Sequence, residues 1–440
     1  MSLGAEKRLA VTGLSALFIK GLGAVISYAM VVSFAHFLDA AEFGRFASGM
    51  NAAIIISTVV GVGFATGIMR YWPLHVVAGE NAWARRIAQF GYVITALASV
   101  VILAIAALLG SVPAVTANVG SSDFLITVAF LAAIIAFGDY STNLLRAQGS
   151  TLVSMLPREI LWRVTSPAVA FLVWRFGAGL SGTTSLAIAA VVLVLLTLWQ
   201  AIHIRRNINA LAPDNKGQQD FKTLLPSLAP LWVAGIIFAM IQQFDVVIVG
   251  SLLSKVEAGS YFAAQKTAQL LSLVLIAGGL ATAPHMSALY HAGRLVELQA
   301  LCRKLAIAIA AITFAGFFFL VIAGKLLLSI FDPQFVSAYP ILIALALGTV
   351  VDAVAGPTAY LMQMTKFEGA YLKILIGCYG LVIAAQFFLI PRYGSFGAAL
   401  ASASGVILWN VMAIVVLRRH AGLDTSLLSV ILPPRPKDRS

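Results

Sequence analysis

The chain has 440 residues, 60% of them hydrophobic and only 10% charged, with a mean hydropathy of +0.96 and a formal net charge of +12. Soluble domains carry roughly 25% charged residues, so a fold surrounded by water is excluded and the solvent is lipid. The two cysteines, Cys302 and Cys378, offer neither metal-ligand spacing nor a disulfide framework.

In hydrocarbon only helices and closed barrels satisfy the backbone. The apolar runs here are continuous, without the alternation of a barrel strand. At ~20 residues per span plus a turn, the length fits about twelve transmembrane helices. In chain order the spans are placed at 10–35, 44–69, 88–110, 123–145, 158–176, 183–203, 227–250, 257–283, 301–324, 339–363, 369–390 and 395–417. Lys7 and Arg8 precede the first run as they would in a signal peptide. Lys20 interrupts that run and no small-residue cleavage site follows, so the span is read as retained.

Charge placement orients these spans. With the N-terminus cytoplasmic, the outer loops receive only Arg45, Arg175, Lys255, Lys325 and Arg392 of the 29 Lys and Arg residues. Lys20 and Lys266 lie within spans, and all the others fall on the inner side. This positive-inside bias supports both the span count and cytoplasmic termini. It also accounts for the net charge without a nucleic-acid partner.

The chain repeats itself. Leu38, Glu42, Gly44 and Phe46 recur as Leu253, Glu257, Gly259 and Tyr261, in the pattern L-x-x-x-E-x-G-x-[FY]. At almost the same spacing, Arg175-Phe176-Gly177 recurs as Arg392-Tyr393-Gly394. Six spans per repeat is an even number, so the repeats are parallel, related by an axis along the membrane normal. The expected organisation is an N-lobe at 1–203, a cytoplasmic linker at 204–226, a C-lobe at 227–417 and a basic cytoplasmic tail at 418–440 that frays at the membrane surface.

No G-x-x-x-x-G-K-[ST] phosphate loop is present. No Ser-His-Asp, Cys-His or metal constellation is spaced convincingly, and no outer loop is long enough for a catalytic domain. These features argue against an enzyme. Gly21-Leu22-Gly23 and Gly61-Val62-Gly63 lie inside spans, where small residues permit close helix approach. Tyr71, Trp72, Trp174 and Tyr393 sit near span ends, as interfacial anchors do.

Ionisable residues within spans are costly and mark function or pairing. Lys20, Asp139, Asp245, Lys266 and Asp352 are such residues, and Arg158, Glu159 and Arg163 cluster at one end of the fifth span. On one reading Lys20, Arg146, Arg163 and Lys266 line a cavity for an anionic headgroup, and Asp139, Asp245 or Asp352 binds a coupling H⁺ or Na⁺. On the other, Asp245 neutralises Lys266 and Glu159 neutralises Arg163 at i, i+4. Lys20 has no carboxylate near it in its own span. The neutral Asn51, Gln242, Gln243, Gln265 and Gln269 fit a sugar path or interhelical hydrogen bonds equally well. No cofactor or metal is expected.

The turn Leu38-Asp-Ala-Ala-Glu42-Phe-Gly44-Arg-Phe46, the segments Asp245–Gly250 and Pro284–Tyr290, and Ile390-Pro-Arg-Tyr-Gly394-Ser-Phe-Gly397 resemble the polysaccharide transporter family. That family belongs to the multidrug/oligosaccharidyl-lipid/polysaccharide (MOP) exporter superfamily. The resemblance implies two six-helix lobes in a V, alternating access, and residence in the bacterial inner membrane. It implies a flippase for undecaprenyl-pyrophosphate-linked oligosaccharide in O-antigen or exopolysaccharide synthesis, with membrane lipids and other polysaccharide assembly proteins as partners. By the same resemblance Lys20, Arg146, Arg163 and Lys266 would hold the pyrophosphate. The rivals are a multidrug or organic-cation exporter of the same superfamily, a membrane-embedded polysaccharide polymerase or ligase, and a scaffold in an assembly complex.

Overall fold

The computed structural model describes residues 3–177, 179–211, 221–427 and 429, with side chains from Ile19 onward except at Asn118, 221–225 and Ser227. The elements are α1 (Leu3–Phe37), α2 (Ala40–Val60), α3 (Phe64–Val77), α4 (Asn81–Gly110), α5 (Pro113–Asn118), α6 (Ser122–Ala147), α7 (Thr151–Leu156), a π-helical turn (Pro157–Leu161), α8 (Trp162–Arg175), α9 (Gly182–Asn209), α10 (Phe221–Leu252), α11 (Lys255–His291), α12 (Leu295–Phe331), a 3₁₀ turn (Pro333–Ala338), α13 (Tyr339–Ala355), α14 (Thr358–Gln363) and α15 (Glu368–Ala421). Among the described residues there is no strand, and ten helices are long and apolar enough to cross a membrane.

The twelve expected spans map onto these helices with four adjustments, one of them a break of the tenth between α13 and α14, where Gly356 takes a φ of 75°. The second span is broken between α2 and α3, where Val62 and Gly63 take positive φ values of 45° and 73°. At the end of α2 the Thr58 and Val59 carbonyls accept from the Trp232 indole N–H at 3.1 and 3.0 Å. The fifth span is split into α7, the π turn and α8, none of which is long enough to cross a membrane by itself. The eleventh and twelfth merge into α15, whose 54 residues would run straight for ~80 Å, far beyond a ~30 Å hydrocarbon core. Gly394, at φ 60° and ψ −147°, reverses the chain. Cys378 lies 3.7 Å from Met412 and Gln386 donates to Ser402 at 3.3 Å, pairings centred on Gly394.

Two compact units divide the chain, Met1–Gly259 and Ser260–Ser440. In the first, α2 and α6 are the inner helices. About 61% of each apolar window is buried, against 17% for α4, which turns Leu97, Val100, Val101 and Leu108 outward. Small residues along α6 (Ala129, Ala132, Ala133, Ala136) let α2, α4 and α9 pack closely on it. Tyr140 fills the space left by Gly91 and donates to the Ala88 carbonyl at 2.9 Å. Its neighbours in the core include Phe64, Trp72, Trp83 and Ile87. Trp72 is therefore not an interfacial anchor: it is 3% exposed, because α3 turns its indole onto α4 and α6. Trp174 and Tyr393 do face outward.

The repeated motif is a helix start. Asp39 caps α2 by accepting from the Glu42 N–H at 2.8 Å, and Ser254 caps α11 by accepting from the Glu257 N–H at 3.1 Å. Glu42 also accepts from the Gly182 N–H at 2.6 Å, tying the start of α9 to α2. The motif glycines meet each other. A Cβ on Gly44 would overlap the Lys255 carbonyl and lie 3.1 Å from the Gly259 nitrogen; one on Gly259 would lie 3.2 Å from the Ala40 carbonyl and the Gly44 nitrogen. Repeat-equivalent positions thus contact each other within the first unit.

In the second unit α13 packs against α12 and α15. Residues expected to begin a fraying tail are instead held. Gly422, at φ 64°, ends α15 in the left-handed conformation. Asp424 then pairs with Arg418 and accepts from the Ser426 N–H at 2.8 Å. Its backbone N–H donates to Gln299 Oε1 at 2.8 Å, and its carbonyl accepts from Gln299 Nε2 at 2.6 Å. Leu427 donates to the Val354 carbonyl at 2.9 Å. The buried Asp424 carboxylate balances Arg418 and organises the turn, which fixes the segment through Leu427. Residues 430–440 lie outside the described residues. So does 212–220 of the expected linker, whose flanks continue α9 to Asn209 and begin α10 at Phe221.

Candidate functional site

A cavity of about 230 Å³ opens in the first unit, lined by Lys20, Asp139, Thr142, Asn143, Arg146, Met155, Arg158, Glu159 and Arg163. Residues three, four and seven apart share a helix face, so α6 presents Asp139, Thr142, Asn143 and Arg146 together. Lys20 comes from α1, Arg158 and Glu159 from the π turn, and Arg163 from α8.

The π turn is what aims that wall. The extra residue widens the helix and the Trp162 N–H bonds back to the Pro157 carbonyl. The Trp162 indole, donating to the Ala189 carbonyl at 2.8 Å, anchors the segment to α9. So placed, Arg158 forms an ion pair with Asp139 across the cavity. Arg163 pairs with Glu159 at 2.9 Å and donates to the Gly23 carbonyl at 2.6 Å. A side chain on Gly23 would press on Arg163 and Glu159, so this glycine is the close approach between α1 and α8; Gly21 faces open space.

Two cations remain. Among the described residues, Lys20 and Arg146 make no hydrogen bond or ion pair. Among the described residues the wall therefore holds four formal positive charges and two negative ones, with Thr142 and Asn143 as neutral hydrogen-bonding groups. Such a surface can grip an oxyanion: guanidinium groups bind it in two-point fashion, and the ammonium acts as a point charge.

Of the residues singled out in the sequence, Lys20, Asp139, Arg146 and Arg163 meet in this cavity. Lys266, Asp245 and Asp352 lie elsewhere. Lys266 donates to Gln269 at 3.2 Å and stands 5.2 Å over the Phe262 ring. Asp245 is buried in α10. Asp352 accepts from the Asn410 amide at 2.9 Å. The pairing of Glu159 with Arg163, one of the two sequence readings, is present and lies in the cavity wall. Sequence reasoning missed the Arg158–Asp139 pair and the roles of Thr142 and Asn143. The spacing from Asp139 to Arg146 was a signal for the latter, whereas a π turn has no sequence signature that would have revealed the former. Asn51 donates to its own helix, at the Ala47 carbonyl, 2.7 Å away.

Neither a protein-family model nor a curated protein matches the sequence. Solved structures do match. One is the inward-facing conformation of a multidrug resistance MATE family transporter of the MOP superfamily, with TM-score 0.70 and 14% identity over 93% of this chain and 97% of that one. The outward-facing conformation of a multidrug resistance MATE family transporter matches with TM-score 0.61 and 14% identity over 91% and 93%. A MOP superfamily transporter from Pyrococcus furiosus, described as having a binding pocket of reverse polarity that suggests a different function, matches with TM-score 0.61 and 15% identity over 92% and 95%. The chain has the many-helix fold shared by these transporters.

Proposed function

We propose that the chain is an alternating-access transporter that flips an anionic lipid-linked oligosaccharide, of the polyprenyl-pyrophosphate type, from the cytoplasmic to the outer leaflet of a bacterial inner membrane. The observation that carries this reading is the cavity wall of Lys20, Arg146, Arg158 and Arg163, in which cations outnumber carboxylates. Its volume of about 230 Å³ lies below the ~300–1,000 Å³ of drug-sized pockets and suits a headgroup whose lipid and sugars extend outside it. The resemblance of the repeated turns to polysaccharide transporters points the same way.

In this reading the lobes 1–203 and 227–417 rock about the linker 204–226, with both termini cytoplasmic. Cargo must bind the two states unequally, or its binding shifts nothing. Asp139, Asp245 and Asp352 are the candidates for H⁺ or Na⁺ coupling. A multidrug or organic-cation exporter is the second reading. It is favoured by the multidrug resistance neighbours and by Asp352, a carboxylate in α13 whose hydrogen bond comes from a neutral amide.

Flipping itself decides between them. The purified chain is reconstituted in liposomes with a fluorescent polyprenyl-pyrophosphate oligosaccharide, and loss of protection from an external quencher is followed under pH or Na⁺ gradients. Protein-dependent transfer that weakens in Lys20→Ala supports the flippase. Transport of a cationic dye, with no lipid transfer under any gradient, supports drug export.

A further inference from the structure

We infer that Asp139 and Glu159 set the charge this site accepts, matching it to a headgroup with two negative charges. The inference rests on the anionic-cargo reading above and assigns that cargo a charge. Each carboxylate cancels one arginine, Asp139 with Arg158 and Glu159 with Arg163, and Lys20 and Arg146 are left over. A diphosphate diester carries two ionised oxygens, one per phosphorus, and neutralises that remainder. A phosphodiester carries one, and a diphosphate monoester carries three once its last proton has gone. In a partly dehydrated site an uncompensated charge is costly, so both mismatches bind less well than the diester.

The position of the two carboxylates separates this role from simple structural pairing. Both ion pairs lie in the cavity wall, and their four side chains are 20–38% exposed, so a ligand reaches them directly. Their charges therefore subtract where the ligand binds. The same exposure screens them, which holds the expected effect near one order of magnitude. Glu159 also lends itself to a clean substitution: Arg163 keeps its hydrogen bond to the Gly23 carbonyl when the acid is replaced by its amide.

The test measures affinities of the full chain in nanodiscs at pH 8 for three probes: geranyl phosphoglucose, geranyl diphosphoglucose and geranyl diphosphate. Wild type is expected to bind the diphosphoglucose about tenfold more tightly than either other probe. Asp139→Asn and Glu159→Gln should each move the ratio of diphosphate to diphosphoglucose affinity about tenfold toward the trianion, while Asp139→Glu keeps the wild-type ratio. Unchanged ratios in both amide variants, uniform loss of all three probes in Glu159→Gln, or a shifted ratio in Asp139→Glu would overturn the inference. Wild type that binds none of the probes removes the anionic-cargo reading as well. Intact binding with unmoved ratios removes the charge-matching role alone.

Discussion

Of the helices that carry an acid within a span, α6 and α13 resolve it differently. On α6, Asp139 is paired with Arg158 from the π turn and stands in a cavity wall with two further unpaired cations. On α13, Asp352 accepts from the neutral Asn410 amide and is not part of that cavity wall. A formal charge inside a span therefore does not by itself announce a binding site. What distinguishes α6 is an excess of opposite charge around its acid.

Four experiments sharpen or break this contrast. The largest effect is expected from removing the excess itself. The Lys20→Ala/Arg146→Ala double variant should lower flipping by at least about tenfold while its thermal midpoint in detergent stays close to wild type; transport at the wild-type rate would leave the α6 cavity without its assigned role. Next comes Arg158→Ala, which strands Asp139. Loss of a partner to a fully buried charge costs ~3–5 kcal/mol, and the 38% exposure of Asp139 reduces this to about 1–3 kcal/mol, read as a fall in thermal midpoint.

Smaller changes are expected on α13. Asn410→Ala removes the donor to Asp352 and should cost ~1–2 kcal/mol. Asp352→Asn should cost under ~1 kcal/mol, because Asn410 Oδ1 is buried without a partner and can accept from the new amide. A denaturation series ranking Asp352→Asn above Arg158→Ala would invert the comparison.

Much of the fold was legible in the sequence because lipid imposes few solutions. Long apolar runs must be helices, and the alternation of Lys and Arg between loops marks where each begins and ends. The repeat was legible through Glu42, Gly44 and their echoes, since a helix cap needs particular residues at particular spacings. The break at Val62–Gly63 was less so, because glycines in a span serve equally for packing. Trp72 misled for a related reason: proximity to a span end suggests the interface, but the side of the helix it occupies decides its burial. Asp424 was read as part of a basic tail because composition averages over a single buried acid. Within the site, Lys20, Asp139, Arg146 and Arg163 were found by the cost of charge in hydrocarbon. The Glu159–Arg163 pair was legible in its i, i+4 spacing, but the meeting of Asp139 with Arg158 depended on the π turn at Pro157.

The meeting of Gly44 with Gly259 bears on ancestry. In a half-length ancestor assembling as a homodimer, that glycine would have faced its own copy, and one codon would have fixed both sides of the crossing. A fusion would have made each glycine separately mutable, yet neither can acquire a side chain without pressing on the other's backbone. Under such a history the pair would be a site where two residues gained independence in inheritance while geometry withheld it, and Gly44 and Gly259 would be bound to change together or not at all.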